Sequence, residues 1–549
     1  MLEEFDPNSI EDERLRQVFV ALMNLVETLS AKVKEQAEEI QRQRDEINRL
    51  KGEQGKPKIK GNKAASPDLS SEKQRRESKP RQPSSKQGRL KIDRKEIAKV
   101  DREQLPSDAV FKGYQEVVMQ DIIFRTENIL FRKEKYYSKS QRQTYLAELP
   151  VGYHGQFGPG IRAWALTLYY EGGMSEPKIL EVLQTVGVQI SAGQLSDLLI
   201  KNQEGFHAES AEVVQAGLSS SPWHHLDSTG TRVNGINQNC HVLCNPLYTF
   251  YCTTPAKDRL SLLRVLLGGA DPLFQFNALT RTLMERLGVS VKWVTKLCAL
   301  FVEEQIVTEA QIDLLLSSQL PDMGSTVRKN VKDALAIAAY QTQTAYPVVD
   351  LLLCDDAPQF NLLTVELALC WIHEFRHYKK LQPRFTHHIT LLQEFGTAFW
   401  KLYQGLLDYR NHPDPAQGVV LQTSFDQLFG ESSGYQQLDA CKERTLKKRD
   451  QLLMVLSHPE ILLHNNPAEL GARARVRKRD VSLQARTPEG IRAWDTFQTL
   501  VGTANKLGVN LFRYFFDRIT HASALPRLAS LIQERAASMA LGTSWQPSP

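Results

Sequence analysis

Nothing in this sequence approaches the run of about 18 apolar residues that a membrane-spanning helix needs. Its start, Met1-Leu2-Glu3-Glu4-Phe5-Asp6, has no basic segment leading into an apolar stretch, which argues against a secretory signal. Cysteine is sparse: seven are scattered over 549 residues, an odd number without framework spacing. That excludes a disulfide-built scaffold and points to reduced thiols in the cytoplasm. Charge of one sign is also lacking overall, the formal net being only +5. No internal repeat stands out beyond an N-terminal heptad. A chain of this length is too long for one core, so about three or four structural units are expected.

What is present is strongly segmented. Residues 1–50 read as a coiled-coil helix. Phe19, Val26, Val33, Ile40 and Ile47 fall at heptad position a, and Leu15, Leu22, Leu29, Gln36, Gln43 and Leu50 at d. Branched side chains at a with leucine at d favour a parallel homodimer. A helix packed on the protein's own body is the alternative. Residues 51–99 follow as a basic flexible linker, whose 51–91 part holds 13 Lys or Arg against 4 Asp or Glu. Such a stretch buries too little to fold, and it suits either DNA phosphates or plain solubility. Residues 100–160 are expected to be a small β-rich module, because 116–135 alternates and is rich in Ile, Val and Phe.

Residues 161–205 have the marks of a helix-turn-helix. One helix over 162–171 ends at Gly172-Gly173, and Ser175 stands where it would cap a second to about 186. Gly187 opens a turn, and Ser191 stands to cap a third through 199. If this third helix entered a major groove, residues near Ala192, Gly193, Gln194 and Ser196 would face the bases, with Gln194 and Ser196 as contacts. A helical hairpin that touches no DNA has the same pattern.

A catalytic domain is expected over 206–520, with a C-terminal helix and tail over 521–549. Strands are read at 223–227, 241–244 and 248–252, with turns at Asn234-Gly235 and Asn245-Pro246, then a helix from about 258. Residues 348–354 are almost wholly apolar, as a strand buried on both faces should be, and end at Asp355-Asp356. Three antiparallel strands, a helix and a buried strand ending in aspartate is the order of a ribonuclease-H-like core. The fold expected is therefore α/β, a mixed-sheet core with a helical insertion at about 270–345. Asp227 and Asp355, or Asp356, would lie at adjacent strand ends, where two carboxylates repel unless a cation sits between them. Hard oxygen ligands suit Mg2+, and a helix-borne third acid would complete a two-metal site. Glu469 is the candidate for that acid. Locally it is read as a capping-box glutamate, with Asn466 as N-cap, Pro467 at N1 and Glu469 at N3.

These residues carry a resemblance. Asp227-Ser228-Thr229-Gly230-Thr231-Arg232-Val233-Asn234-Gly235 resembles the D-E-T-G-x-R-V-N-G of the insertion-sequence-66 group of DDE transposases. Cys370-Trp371-Ile372-His373 resembles that group's C-W-x-H helix. Asn465-Asn466-Pro467-Ala468-Glu469 with Arg473 resembles N-N-x-A-E-R-x-x-R, and 490–514 resembles its C-terminal helices. Ser228 and Leu470 depart from the pattern, the cysteine pairs of a zinc module are missing from 100–160, and the 270–345 insertion is longer than usual.

The resemblance implies that Asp227, Asp355 and Glu469 are catalytic and bind two Mg2+ ions, with Mn2+ able to substitute. It implies double-stranded DNA as partner, both transposon ends and target, in a cytoplasmic, nucleoid-associated enzyme; whether accessory proteins of the same element take part is left open by the sequence. His373 and Arg376 would approach the scissile phosphate. Arg473, Arg477 and Lys478, in a basic cluster after Glu469, would bind the transposon end or form a solvated face. A catalytically inactive, transposase-derived DNA-binding regulator is the first alternative, and a coiled-coil scaffold the second.

Overall fold

The computed structural model describes residues 6–50 and 92–541, apart from 102–104, 107, 120, 123, 124, 154, 302 and 540. The charged stretch 51–91 and the end of the tail, 542–549, lie outside the described residues.

α1 (Glu13–Leu50) forms as expected, and one of its faces packs on the protein's own body. Met23 and Glu27 are buried against the protein's own helices. Asn24 donates to Gly434 O at 2.9 Å and accepts from Gln436 N at 2.9 Å. Glu27 accepts from Arg384 N at 2.9 Å and pairs with His388 Nδ1 at 3.1 Å. Those residues lie off the a/d stripe. Leu22, Val26, Leu29, Val33, Ile40 and Ile47, which are on it, remain exposed.

Among the described residues of 100–160, the expected β-rich module is one hairpin, β1 (Lys135–Ser138) and β2 (Gln143–Leu146). The described residues of 116–134 form no strand. Val117, Met119, Ile122 and Leu130 are exposed, so the alternation has no layer to pack against, and alternation alone does not hold a sheet.

The helical unit consists of α2 (Pro159–Leu166), extended by a π-turn Thr167–Glu171, α3 (Glu176–Thr185) and α4 (Ala192–Ile200). Gly187, at φ +87°, makes the turn before α4. Ser191 caps α4 in a reciprocal capping box with Gln194. Ser175 stands at the N-cap of α3 without a side-chain bond. α5 (Glu204–Ser219) then leads into the sheet.

β3 (Trp223–Val233), β4 (Ile236–Cys244) and β5 (Thr249–Thr254) are antiparallel. β3 does not stop at Asp227. It runs on to a tight turn at Asn234 and Gly235, φ +46° and +78°, where two positive φ values match the twist of a hairpin. α6 (Arg259–Leu266) follows. The insertion comprises β6 (Phe274–Gln275), α7 (Ala278–Arg286), α8 (Val291–Leu300), β7 (Ile306–Val307), α9 (Glu309–Gln319) and α10 (Ser325–Thr342). The second half of α10 is buried, so it belongs to the core as much as to the insertion.

β8 (Leu351–Cys354) is buried throughout and lies parallel to β3; β9 (Glu366–Leu369) lies parallel to β8. The five-stranded sheet therefore has the order β5-β4-β3-β8-β9. A helical layer follows: α11 (Trp371–Lys379), α12 (Thr386–Asn411), α13 (Pro415–Gly430), α14 (Gln436–Leu446) and the short α15 (Arg449–Leu452). Trp371 sits edge-on against Phe399 and Phe425 within it.

α16 (Asn466–Ser482), α17 (Pro488–Lys506), α18 (Leu511–Thr520) and α19 (Leu528–Met539) complete the chain. α17 covers the free edge of β5. Thr249, Tyr251 and Thr253 donate their amides to Thr503 Oγ1 (3.2 Å), Thr499 Oγ1 (3.0 Å) and Asp495 Oδ2 (2.8 Å). A helix turn of four residues rises about 6 Å and two strand residues about 6.6 Å, so the two ladders stay in step. An edge that would otherwise recruit another strand is closed by side chains. The fold is thus a mixed α/β architecture around one five-stranded sheet, with two small two-stranded pairs outside it.

Candidate active site

β3 pairs with β8 only from Trp223↔Leu351 to His225↔Leu353. Beyond that the two parallel strands part, and Asp227 and Asp355 emerge at the opening, at the C-terminal end of β8. Crevices at such strand ends are where α/β sheets bind ligands. Asp227 accepts from Ser228 N at 2.7 Å, and Asp355 accepts from Ala357 N at 3.1 Å. Neither has an ion-pair partner among the described residues.

Burial pushes the Asp227 carboxyl up to about 6, against the pull of the Ser228 amide, and repulsion from Asp355 and Glu469 adds to the rise. Lys257 opposes it. The three acids thus share one electrostatic neighbourhood although they come from β3, the end of β8 and α16.

Asp356 is already occupied. It takes Lys448 Nζ at 2.7 Å and His377 Nε2 at 3.2 Å. Burial alone would raise its carboxyl, but the Lys448 bond and charge outweigh this and hold it below the ordinary value. Lys448 also reaches Glu374 at 2.9 Å. Of the two neighbouring aspartates, Asp355 is the one without an ion pair among the described residues, and its charge acts on Asp227.

Glu469 does not stand where a capping box needs it. Asn465, not Asn466, is the N-cap, with no side-chain cap bond, and Glu469 falls one residue beyond N3. Its carboxylate instead faces His373 Nδ1 at 3.5 Å, Arg376 Nη2 at 3.6 Å and Arg473 Nη2 at 3.9 Å. Arg376 Nη1 lies 2.7 Å from His373 Nε2. An arginine only donates, so the imidazole proton sits on Nδ1, toward Glu469. At 3.5 Å that proton has no good hydrogen bond.

Asn465 was not singled out by sequence reasoning, and it ties these segments together. It is 1% exposed. Its Nδ2 donates to Leu226 O at 2.8 Å, its Oδ1 meets His225 Nδ1 at 3.1 Å, and its own amide donates to Cys370 Sγ at 3.3 Å. Its carbonyl accepts the Glu469 amide at 3.1 Å. Gly471 lets α16 sit close on β4, since a Cβ there would lie 2.6 Å from Val242 Cγ1.

The donor set of Asp227, Asp355 and Glu469 is all carboxylate oxygen, which fits a hard divalent cation such as Mg2+. Burial is the main cause of the raised Asp227 carboxyl, and the repulsion from Asp355 and Glu469 that adds to it is what a shared cation would relieve. Two groups of described residues have ligand atoms within 4.8 Å of one another, Cys370–His373–Glu469 and Asp356–Glu374–His377. Neither contains Asp227 or Asp355. Lys448 already supplies the cation of the second. In the first, burial pushes the Cys370 thiol up to about 11, and its sulfur already accepts the Asn465 amide at 3.3 Å.

The expected DNA contacts divide. Arg473 and Arg477 are exposed on α16. Lys478 is not: it is 4% exposed, donates to Tyr169 O at 3.0 Å, and is pushed down to about 6 by burial. Arg475 is fully buried and paired with Asp495. The helical period therefore corrects the basic cluster, turning 473 and 477 outward and 475 and 478 into the core. Gln194 is half-buried, its Oε1 accepting from Ser191 N at 3.0 Å and its Nε2 facing Gln156 Oε1 at 3.1 Å. Ser196 is also half-buried.

No family model matches the chain. Over 335 residues it is 25% identical to an uncharacterized protein, y4jO, of Sinorhizobium fredii, a match covering 59% of this chain and all of that relative. No solved structure matches. Among the described residues no helix is long and apolar enough to cross a membrane.

Proposed function

We propose that the chain is a DDE transposase with a ribonuclease-H-like core, which cuts DNA at transposon ends and joins the freed end to target DNA. The sheet order β5-β4-β3-β8-β9, antiparallel on one side of β3 and parallel on the other, supports that core. One observation carries the chemistry: Asp227 and Asp355 emerge where β3 and β8 part, and Glu469 of α16 is near enough to help raise the Asp227 carboxyl.

Asp227, Asp355 and Glu469 would hold two Mg2+ ions, or Mn2+ in their place. Bound there, the metal would supply charge to the attacking and leaving oxygens of a phosphodiester. The chain's own residues do the rest. Asn465 fixes the start of α16 against β3, His373 and Arg376 flank Glu469, and the exposed Arg473 and Arg477 offer charge to the DNA backbone. In the first step a water oxygen bonds to phosphorus as the 3′ oxygen leaves. In the second the freed 3′ hydroxyl loses its proton and bonds to a target-strand phosphorus, and the target strand's 3′ oxygen leaves as a protonated hydroxyl. The exposed a/d stripe of α1 is the dimer seam.

A DNA-binding regulator without cleavage is the second reading. It is favoured by one observation, that neither close ligand group includes Asp227 or Asp355. The purified full chain, incubated with DNA spanning the borders of its reading frame, separates the two. Mg2+-dependent cutting that Asp227→Asn, Asp355→Asn and Glu469→Gln each abolish, with duplex affinity kept, supports the enzyme. Binding without cutting supports the regulator. Adding Mn2+ alone should raise the melting temperature of the wild type and leave the three variants unmoved.

A further inference from the structure

The insertion contains a second helix-turn-helix. α7 ends in a turn at Gly288, φ +73°, and α8 begins after Ser290 at its N-cap, whose hydroxyl makes no cap bond. Leu297 turns the inner face of α8 into the core, and Phe276 stacks on Phe301 at 5.3 Å beneath the β6–β7 pair.

The outer face has a different character. Lys292, Thr295, Lys296 and Ala299, at helical spacing, are all exposed. From 286 to 301 the sequence carries Arg286, Lys292 and Lys296 and no carboxylate. Two other cations of the insertion are paired, Arg281 with Glu303 at 3.0 Å and Lys332 with Glu309 and Asp313, each at 2.8 Å, whereas Arg328 bonds only Ser317 Oγ and Leu316 O among the described residues. Lys292 and Lys296 have no acidic partner among the described residues. They flank Trp293, their ammonium groups 5.9 and 5.1 Å from its ring centre. A helix face with two exposed lysines, no carboxylate from 286 to 301, and the small Thr295 and Ala299 beside them fits a polyanion groove.

We infer that α8 is a second DNA-binding surface, taking the phosphate backbone of a duplex on Lys292 and Lys296. About 6 Å of axial rise separates the two lysines, and one DNA strand carries about two phosphates over that span. The inference rests on the DNA-processing reading of the carboxylate site, and it gives the insertion a role apart from the α2–α4 unit.

The test measures binding of the full chain to a short random-sequence duplex over a series of KCl concentrations. Lys292→Ala with Lys296→Ala should make the slope of log affinity against log salt shallower by about 1.8, the value for two lost phosphate contacts. Lys292→Arg with Lys296→Arg should keep the wild-type slope, and all three proteins should melt alike. An unchanged slope in the alanine pair overturns the inference and leaves the transposase reading standing. A slope that depends on α8, in a protein that never cuts DNA with Mg2+, supports the surface and sinks the carboxylate-site reading.

Discussion

Asn465 Nδ2 donates to Leu226 O at 2.8 Å, across 239 residues of sequence. That bond joins the residue before Asp227 to the N-cap of the helix that carries Glu469. The His225 Nδ1 contact and the Cys370 Sγ bond close the joint on its other sides. Burial holds His225 down to about 3, so it is neutral and its Nδ1–H donates to Oδ1. This fixes which way the amide faces. Asn465→Ala leaves a buried carbonyl and a buried N–H without partners, at about 1–3 kcal/mol each before relaxation. Urea denaturation should show a loss of about 2–4 kcal/mol. Cleavage should fall further than this, because α16 is released relative to β3. Wild-type cleavage by a folded Asn465→Ala protein would remove the residue from any positioning role.

Lys448 bridges Asp356 and Glu374, the latter 3% exposed. Lys448→Met strands a buried carboxylate, which costs about 3–5 kcal/mol when an ion pair is broken from one side. The sign with pH follows from Asp356, whose folded value lies below its unfolded one. Its contribution is present above the unfolded value of about 4 and is lost as pH falls through the folded one. The difference between wild type and Lys448→Met should therefore be greatest at neutral pH and shrink in acid. An equal difference at both would mean that the lysine acts by packing alone.

The exposed stripe Leu22, Val26, Leu29, Val33 gives a third expectation. The face bearing Met23, Asn24 and Glu27 is already used against the body. Val26→Lys with Val33→Lys places like charges in the seam and leaves the docked face alone. Sedimentation should show the wild type as a dimer and the variant as a monomer of unchanged helicity. A monomeric wild type would mean that the seam has another occupant.

Much of the framework was readable locally, and the parts that were not depend on distant partners. The apolar run ending at Asp355, the Asn234-Gly235 turn and the Ser191 cap all appear where pattern and turn chemistry put them. β9 escaped because Glu-Leu-Ala-Leu reads as well for a helix, and it is a strand through its register with β8. The described residues of 116–134 differ in the opposite sense, alternating in sequence without forming a strand. The candidate acids were nameable one by one. Their shared field, the removal of Asp356 by Lys448 and the joint at Asn465 all arise between elements far apart in sequence.

Lys478 shows the same limit from inside a single helix, and it titrates in an accessible range. Five cations in seven residues, 473–479, suggest one basic face, but the helical turn carries Lys478 against Tyr169 and Trp494. Burial pushes its ammonium down to about 6, whereas the unfolded chain titrates at about 10.4. Below the folded value both states hold the proton, and the full cost of burying the charge is present. Between the two values the unfolded state binds the proton that the folded state lacks, so stability rises with pH. Lys478→Met removes the charge and keeps the length. It should raise stability at pH 7 by about 1–4 kcal/mol, because the wild type must give up a proton to bury this amine. Denaturation curves from pH 6 to about 10 should rise less steeply for the variant than for wild type. Parallel curves would show that the lysine keeps its proton in the core, held by the Tyr169 carbonyl and the aromatic faces around it.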